Sequence, residues 1–297
     1  MKISLFFLYV LFPALVFSQA ASVKPDTTAL KQLKASPVTN LEIPKTGLKE
    51  EIITHAGYSL VYNEKHEQAS WVAYELTKEE TQSKFKRPDK FQSDPMIKTG
   101  TADGKDYEGS NYDRGHLAPA ADMCWSEITA SESFYYSNMS PQAPGFNRGI
   151  WKKTEKLVRD WAIENSSLYI VTGPVLCKGL KTIGENKVSV PKYYYKVILD
   201  YSNPDVKGIG FVIPNDALKN PNPPSHYAVS IDSVEQLTGI DFFPALPDDQ
   251  EALIEKTLCI DCWSWKTTVS STDLLLKFHA KAGKIVLTKL SPVHFPT

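Results

Sequence analysis

His116 closes the run Asp113, Arg114, Gly115, His116; Asn138 follows, and Asn147, Trp151 and Glu155 then recur at intervals of four. These residue types supply a neutral base, a guanidinium and an oxygen-donor metal site, which are the parts that phosphodiester hydrolysis requires. The reaction needs an activated water, neutralisation of charge on the equatorial oxygens and help for the departing alkoxide. An imidazole titrates near neutrality, so His116 is the candidate base. The amide oxygen of Asn147 suits a hard, mostly hydrated Mg2+, which as a Lewis acid would serve the phosphate and the leaving oxygen. Arg114 carries a permanent, planar charge fit to clamp a phosphate, and Glu155 would orient metal-bound waters. Gly115 leaves room for close approach. Each residue alone has a plainer reading: a structural histidine, an asparagine cap, a glutamate paired with Lys152 or Arg159, and a packing tryptophan. The inference rests on the set.

These side chains need elements to hold them. Residues 146–163 carry Ile150, Thr154, Leu157, Val158 and Trp161 at helical spacing, which predicts one continuous helix with a buried stripe. Pro141 and the Pro144-Gly145 pair set its start. In that helix Asn147, Trp151 and Glu155 share one face, about 100° round from the stripe, and the Asp-Arg-Gly-His strand is expected to pack beside it. Strand signals rich in Val, Ile and Tyr occupy residues 58–63, 70–76, 167–171, 192–199 and 208–213. Strands and helices that do not alternate regularly argue for an α+β fold.

The chain begins with Lys2, an apolar run and the small residues Ser18, Ala20 and Ala21, the order of a secretory signal over residues 1 to 20 and too short for a membrane span. The expectation is a secreted or periplasmic protein that keeps no membrane contact once the signal is removed. Residues 21–50 lack periodicity and read as a surface-draped leader. Residues 51–247 form one domain, followed by a C-terminal extension, 248–297, that packs on it. The extension holds helix-like stretches at 248–256 and 273–280 and a strand-like stretch at 284–290. The net charge of -1, or -2 without Lys2, excludes a global basic field of the kind that tight duplex binders carry. The cations Arg148, Lys152, Lys153, Lys156 and Arg159 nevertheless cluster beside the proposed site. Cys259 and Cys262 are read as a structural bridge, because no second metal-binding pair completes a zinc set; Cys124 and Cys177 remain as the natural other pair.

The stretch from Tyr112 through Asp113, Arg114, Gly115, His116, Leu117, Ala118, Pro119, Ala120 and Ala121 to Asp122 closely resembles the signature of the DNA/RNA non-specific endonucleases, the ββα-metal nucleases related to mitochondrial endonuclease G. Ser137, Asn138, Met139, Ser140, Pro141 and Gln142, followed by Asn147, Trp151 and Glu155, are similar to the family's second motif at its own spacing. Further similarity surrounds Trp71, Gly173, Lys196, Pro214 and Phe242, so the resemblance runs from about Ile52 to Pro247.

The resemblance implies a ββα-metal fold with a central antiparallel sheet flanked by helices. It also implies cutting of DNA and RNA with Mg2+, Mn2+ being the alternative, to leave 5′-phosphate ends. It carries the general base to His116, the sole direct protein ligand of the metal to Asn147, the water-organising carboxylate to Glu155 and the phosphate contact to Arg114. Asn138 becomes a support residue of the active site. Arg87, with Phe91 and Asp94, matches a further pattern of arginine, aromatic and acid. DNA and RNA are the implied partners, and the family it resembles includes homodimers. Two other readings remain at this point: a non-catalytic binding module of the same fold, and a phosphodiesterase acting on another diester.

Overall fold

The strand Tyr193–Asp200 is apolar on both sides because both of its faces are covered. Tyr194, Ile198 and the buried Lys196 point one way, while Tyr195, Val197 and Leu199 point the other. The computed structural model describes residues 27–47, 50–216 and 222–265. The strands are β1 Ile52–Thr54, β2 Ser59–Asn63, β3 Gln68–Thr77, β4 Asp113–His116, β5 Met139–Gln142, β6 Ser167–Pro174, β7 Lys181–Ile183, β8 Val188–Val190, β9 Tyr193–Asp200, β10 Lys207–Pro214 and β11 Ala228–Val229. The helices are α1 Gly104–Tyr107, α2 Ala120–Met123, α3 Glu127–Glu132, α4 Lys152–Asn165, α5 Ile231–Thr238 and α6 Asp248–Lys256. Among the described residues a seven-stranded sheet runs in the order β1-β2-β3-β6-β9-β10-β11. Every pairing in it is antiparallel, which makes the fold α+β with a central antiparallel sheet.

β3 and β6 are neighbours in the sheet, paired from Val72↔Thr172 to Thr77↔Ser167. The chain between them leaves the sheet and builds the chemistry-bearing region. Its centre is the hairpin of β4 and β5, with Gly115 opposite Ser140 and His116 opposite Met139, followed by α4. This is the ββα arrangement. α4 returns the chain to the sheet by burying Leu157, Val158 and Trp161 in one core with Ile170, Ile198 and Phe211. Each of those side chains is at most 2% exposed, so the helix is fixed by apolar burial along a single stripe.

The opposite face carries a second core in which Ile231, Val234 and Ile254 meet Val197 and Leu199. β10 makes that approach close by having glycine where its side chains would face α5 and α6. A Cβ at Gly208 would lie 2.7 Å from Ile231 Cδ1, and one at Gly210 2.7 Å from Val234 Cγ2.

The ends of the described chain belong to these cores. Leu30 and Leu41, in the segment expected to drape over the surface, are 4% and 1% exposed in the second core, which corrects that expectation. At the other end Trp263 lies on Trp161 with ring centroids 4.3 Å apart, and Trp161 Nε1 donates to the Ser264 carbonyl. Cys259 and Cys262 are disulfide-bonded with Cα atoms 5.3 Å apart. Cys124 is buried and Cys177 exposed, and neither is bridged, so they are not a pair. The segment read as a signal and the elements expected at 273–280 and 284–290 lie outside the described residues. Among the described residues no helix is long and apolar enough to cross a membrane.

Candidate active site

The expected continuous helix at 146–163 is interrupted. Residues Phe146–Trp151 form a wide turn, with Lys152 N–H donating to Asn147 O five residues back and Gly149 at φ -103, ψ -106. A wide turn inserts an extra residue relative to the α-helix, and such turns recur at functional sites. The interruption breaks the common face expected of Asn147, Trp151 and Glu155. Trp151 is fully buried, its ring 5.3 Å from Phe146 and 5.7 Å from Tyr194, with Nε1 donating to His116 O at 3.4 Å. It is a packing residue that ties the helix to the histidine strand. Asn147 and Glu155, in contrast, both line an open cleft of about 560 Å³ together with His116, Arg114 and Arg87.

His116 is 8% exposed and wedged between rings: Phe134 meets it edge-on at 4.8 Å, and Phe91 lies 5.9 Å away. Its Nε2 is sealed without a partner, which leaves Nδ1 as the nitrogen that the cleft can reach. Burial, and after it the charge of Arg87, pulls the imidazole down to about 3, so it is neutral at physiological pH. The strand carrying it is held from below. The Asn138 oxygen accepts the Ala118 N–H at 2.8 Å, and its Nδ2 donates to the carbonyls of Ala118 and Ser133 at 2.9 and 2.8 Å. With its amide fully used and buried, Asn138 does not line the cleft; its place is in the support of the loop that follows His116.

Asn147 is fixed by a residue that the sequence reading left without a role. Its Nδ2 donates to Asp113 Oδ2 at 2.9 Å, while Arg148 grips both oxygens of Asp113 at 2.9 and 2.6 Å. The Asn147 carboxamide oxygen accepts no hydrogen bond among the described residues and is left to face the cleft. The adjacency of Asp113 to Arg114 was the only signal in the sequence. Arg114 is exposed, with its guanidinium carbon 4.1 Å from the centre of the Phe91 ring, a cation–π contact. Arg87 lies over Phe134 at 5.0 Å and pairs with Asp89 at 2.5 Å. Asp94, the third member of the arginine, aromatic and acid pattern, is turned away from the cleft into a buried pair with His55 at 2.8 Å.

Behind Glu155 stands a buried charged group. Arg159 donates to Asp122 at 2.6 Å, and Tyr74 donates to the other oxygen of Asp122 at 2.8 Å. Lys196 is fully buried, with its Nζ 4.9 Å from the Trp151 ring centre and without a hydrogen-bond partner. Burial pushes the Glu155 carboxyl above the usual carboxylate range, and the charges of Lys196 and Arg159 oppose that rise. A lysine inside the apolar run of β9 was the visible sign of this arrangement.

Five cations line the cleft, Arg87, Arg114, Arg148, Lys152 and Arg159, against the carboxylates of Asp113 and Glu155. A protein with a formal charge of -1 therefore presents a locally positive cleft suited to a polyanion. Of the basic residues expected beside the site, Lys153 and Lys156 do not line it; Lys156 pairs with Asp160 at 2.8 Å.

Residues 37–249 match the model of the DNA/RNA non-specific endonuclease family. Bovine mitochondrial endonuclease G is 32% identical over 218 residues, covering 68% of this chain and 73% of the relative. The zebrafish mitochondrial nuclease EXOG is 34% identical over 223 residues, covering 70% of this chain and 64% of the relative. A nuclease from a Nostoc species is 35% identical over 211 residues, covering 67% and 75%. Among solved structures, the complex of EndoG with EndoGI, described as showing the mechanism of EndoG inhibition, superposes with a TM-score of 0.64 at 33% identity, covering 69% of this chain and 89% of that one.

The endonuclease G and EXOG relatives are mitochondrial by name, and this finding overturns the secreted or periplasmic placement expected from the apolar N-terminus. A short apolar run after one lysine satisfies the composition of an export signal without establishing its use. The family match, the ββα arrangement and relatives that are nucleases agree on one identity: the chain belongs to the DNA/RNA non-specific endonuclease family and is a nuclease.

Proposed function

We propose that this nuclease hydrolyses phosphodiester bonds within DNA and RNA without strong sequence preference, depends on Mg2+ or in its place Mn2+, and leaves 5′-phosphate ends. The observation that carries the reading is the convergence of His116, Asn147, Glu155 and Arg114 on one positively charged cleft. The donor set fits a hydrated hard cation: one carboxamide oxygen without a protein partner, fixed by the Asn147–Asp113 bond, with a carboxylate further along the same wall. Asn147 would hold the metal and Glu155 would orient its waters; when bound, the ion supplies Lewis-acid stabilisation of the phosphate and leaving oxygen.

In this reading His116, neutral because it is buried beside Arg87, takes a proton from the attacking water at Nδ1. Arg114, over the Phe91 ring, receives the phosphate, and Arg87 adds charge in the same cleft. Asn138 acts through the backbone that presents His116 and touches no substrate. Purified protein incubated with plasmid and with RNA, with and without chelator, tests the proposal. Cutting of both polymers that stops in EDTA and returns with Mg2+ is expected; undiminished cutting in EDTA would overturn it. Size-exclusion chromatography with light scattering reads whether the enzyme is a homodimer.

A further inference from the structure

On the far face of the sheet from the cleft, α5 presents Asp232 and Glu235, three apart and therefore on one side of the helix, toward Glu255 in the last turn of α6. Ligand oxygens of the three carboxylates all lie within 4.8 Å of one another. Glu255 is 6% exposed, and its Oε1 is buried without a hydrogen-bond partner. A helix C-terminus is the end that repels an anion, so burial, dipole and neighbouring carboxylates all disfavour charge at that position. Asp241 and Glu251 add to the same local field, and burial followed by these neighbours pushes the Glu255 carboxyl up to about 9. The nearby Lys45 is engaged outside the cluster, 3.0 Å from Asp241 on the surface.

We propose that Asp232, Glu235 and Glu255 form a binding site for a divalent cation, calcium in preference to magnesium, that clamps α5 to α6. Calcium takes several carboxylate oxygens at about 2.4 Å in flexible geometry, whereas magnesium keeps most of its waters and binds through one or two carboxylates. Three carboxylates whose ligand oxygens lie within 4.8 Å of one another can therefore meet on one calcium ion. The packing that sets the separation is stiff. Ile231 and Ile254, one on each helix, both press on Gly208 of β10, and Glu235 also accepts the Phe242 N–H at 2.8 Å. This site is separate from the cleft and structural in role: it stabilises the layer of helices that backs the sheet, and nuclease chemistry does not pass through it.

The test titrates calcium alone into the full chain carrying Asn147→Ala, by calorimetry and by thermal unfolding, and repeats both after adding Asp232→Asn with Glu255→Gln. One calcium per chain, with Tm raised by about 5 °C at saturation, is expected in the first protein and neither effect in the second. No calcium binding in the first protein would overturn the proposal, whether or not the second folds. Binding that persists in the second would do so equally, by assigning the calcium to other groups. A variant carrying only Asp232→Asn and Glu255→Gln is expected to keep its rate on plasmid DNA within about twofold.

Discussion

Asn147 and Asp113 lie 34 residues apart in sequence and are joined at 2.9 Å, amide nitrogen to carboxylate oxygen. This contact decides which end of the carboxamide the cleft sees. Without it the amide could turn its NH2 outward, and that nitrogen, its lone pair delocalised into the carbonyl, does not ligate a hard cation. The bond also links β4, which carries His116, to the wide turn that carries Asn147, so the proposed base and the proposed metal ligand are held in one frame.

Asp113→Ala is therefore expected to act on metal dependence before it acts on the rate at saturation. Loss of a partner that orients a ligand typically costs about 10–100-fold in metal affinity. The Mg2+ concentration for half-maximal cutting should rise by that order, with much of the maximal rate recovered at high Mg2+. An unchanged Mg2+ curve would remove Asp113 from the argument.

His116→Ala should lower cutting by about 10²–10⁴-fold while far-ultraviolet circular dichroism stays that of the native fold. The same residue makes a stability prediction. Its folded pKa is depressed to about 3 from 6.5, so between those values the unfolded chain binds the extra proton. The wild type should lose stability as pH falls from 6.5 toward 3, and His116→Ala should lose less over that window. Equal acid sensitivity of the two proteins in urea titrations would count against the buried neutral imidazole.

Lys196 is predicted to set the acid limb of the activity profile through Glu155. Removing the ammonium removes the charge that favours the Glu155 carboxylate, so in Lys196→Met the carboxyl pKa moves still higher. The acid limb of kcat should move to higher pH, and at a fixed pH below it the rate should fall about tenfold for every pH unit the limb moves. Lys196→Arg, which keeps the charge over Trp151, should restore most of the profile. An acid limb that stays put in Lys196→Met would limit the lysine to packing.

Gly115→Ala tests the space beneath the histidine strand. A Cβ there would fall 2.1 Å from Gln142 Cδ and 2.2 Å from its Oε1, and Gln142 is fully buried. Overpacking of this kind destabilises by about 1–3 kcal/mol, readable as a lower urea midpoint. Shortening the obstacle with Gln142→Ala in the same chain should recover most of the loss. Failure to recover would place the strain elsewhere.

The sequence by itself determined the family, the long strands of the central sheet and the candidate residues of the site. Each is written in local chemistry: near-continuous apolar runs for β9 and β10, and an ordered motif for His116, Asn138 and Asn147. The tertiary structure decided how those residues face one another. Helical spacing put Asn147, Trp151 and Glu155 on one face, yet the wide turn at Gly149 changed the phase, and Trp151 went into the core against Phe146 and Tyr194. The clamp of Asp113 on Asn147, the buried Lys196 behind Glu155 and the separation of Cys124 from Cys177 depend on contacts between distant segments. Periodicity reports only what neighbours along the chain require of one another. The interruption of a helix and the burial of a charge are settled by what packs across from them, and that partner is chosen only when the sheet and its two covering layers close.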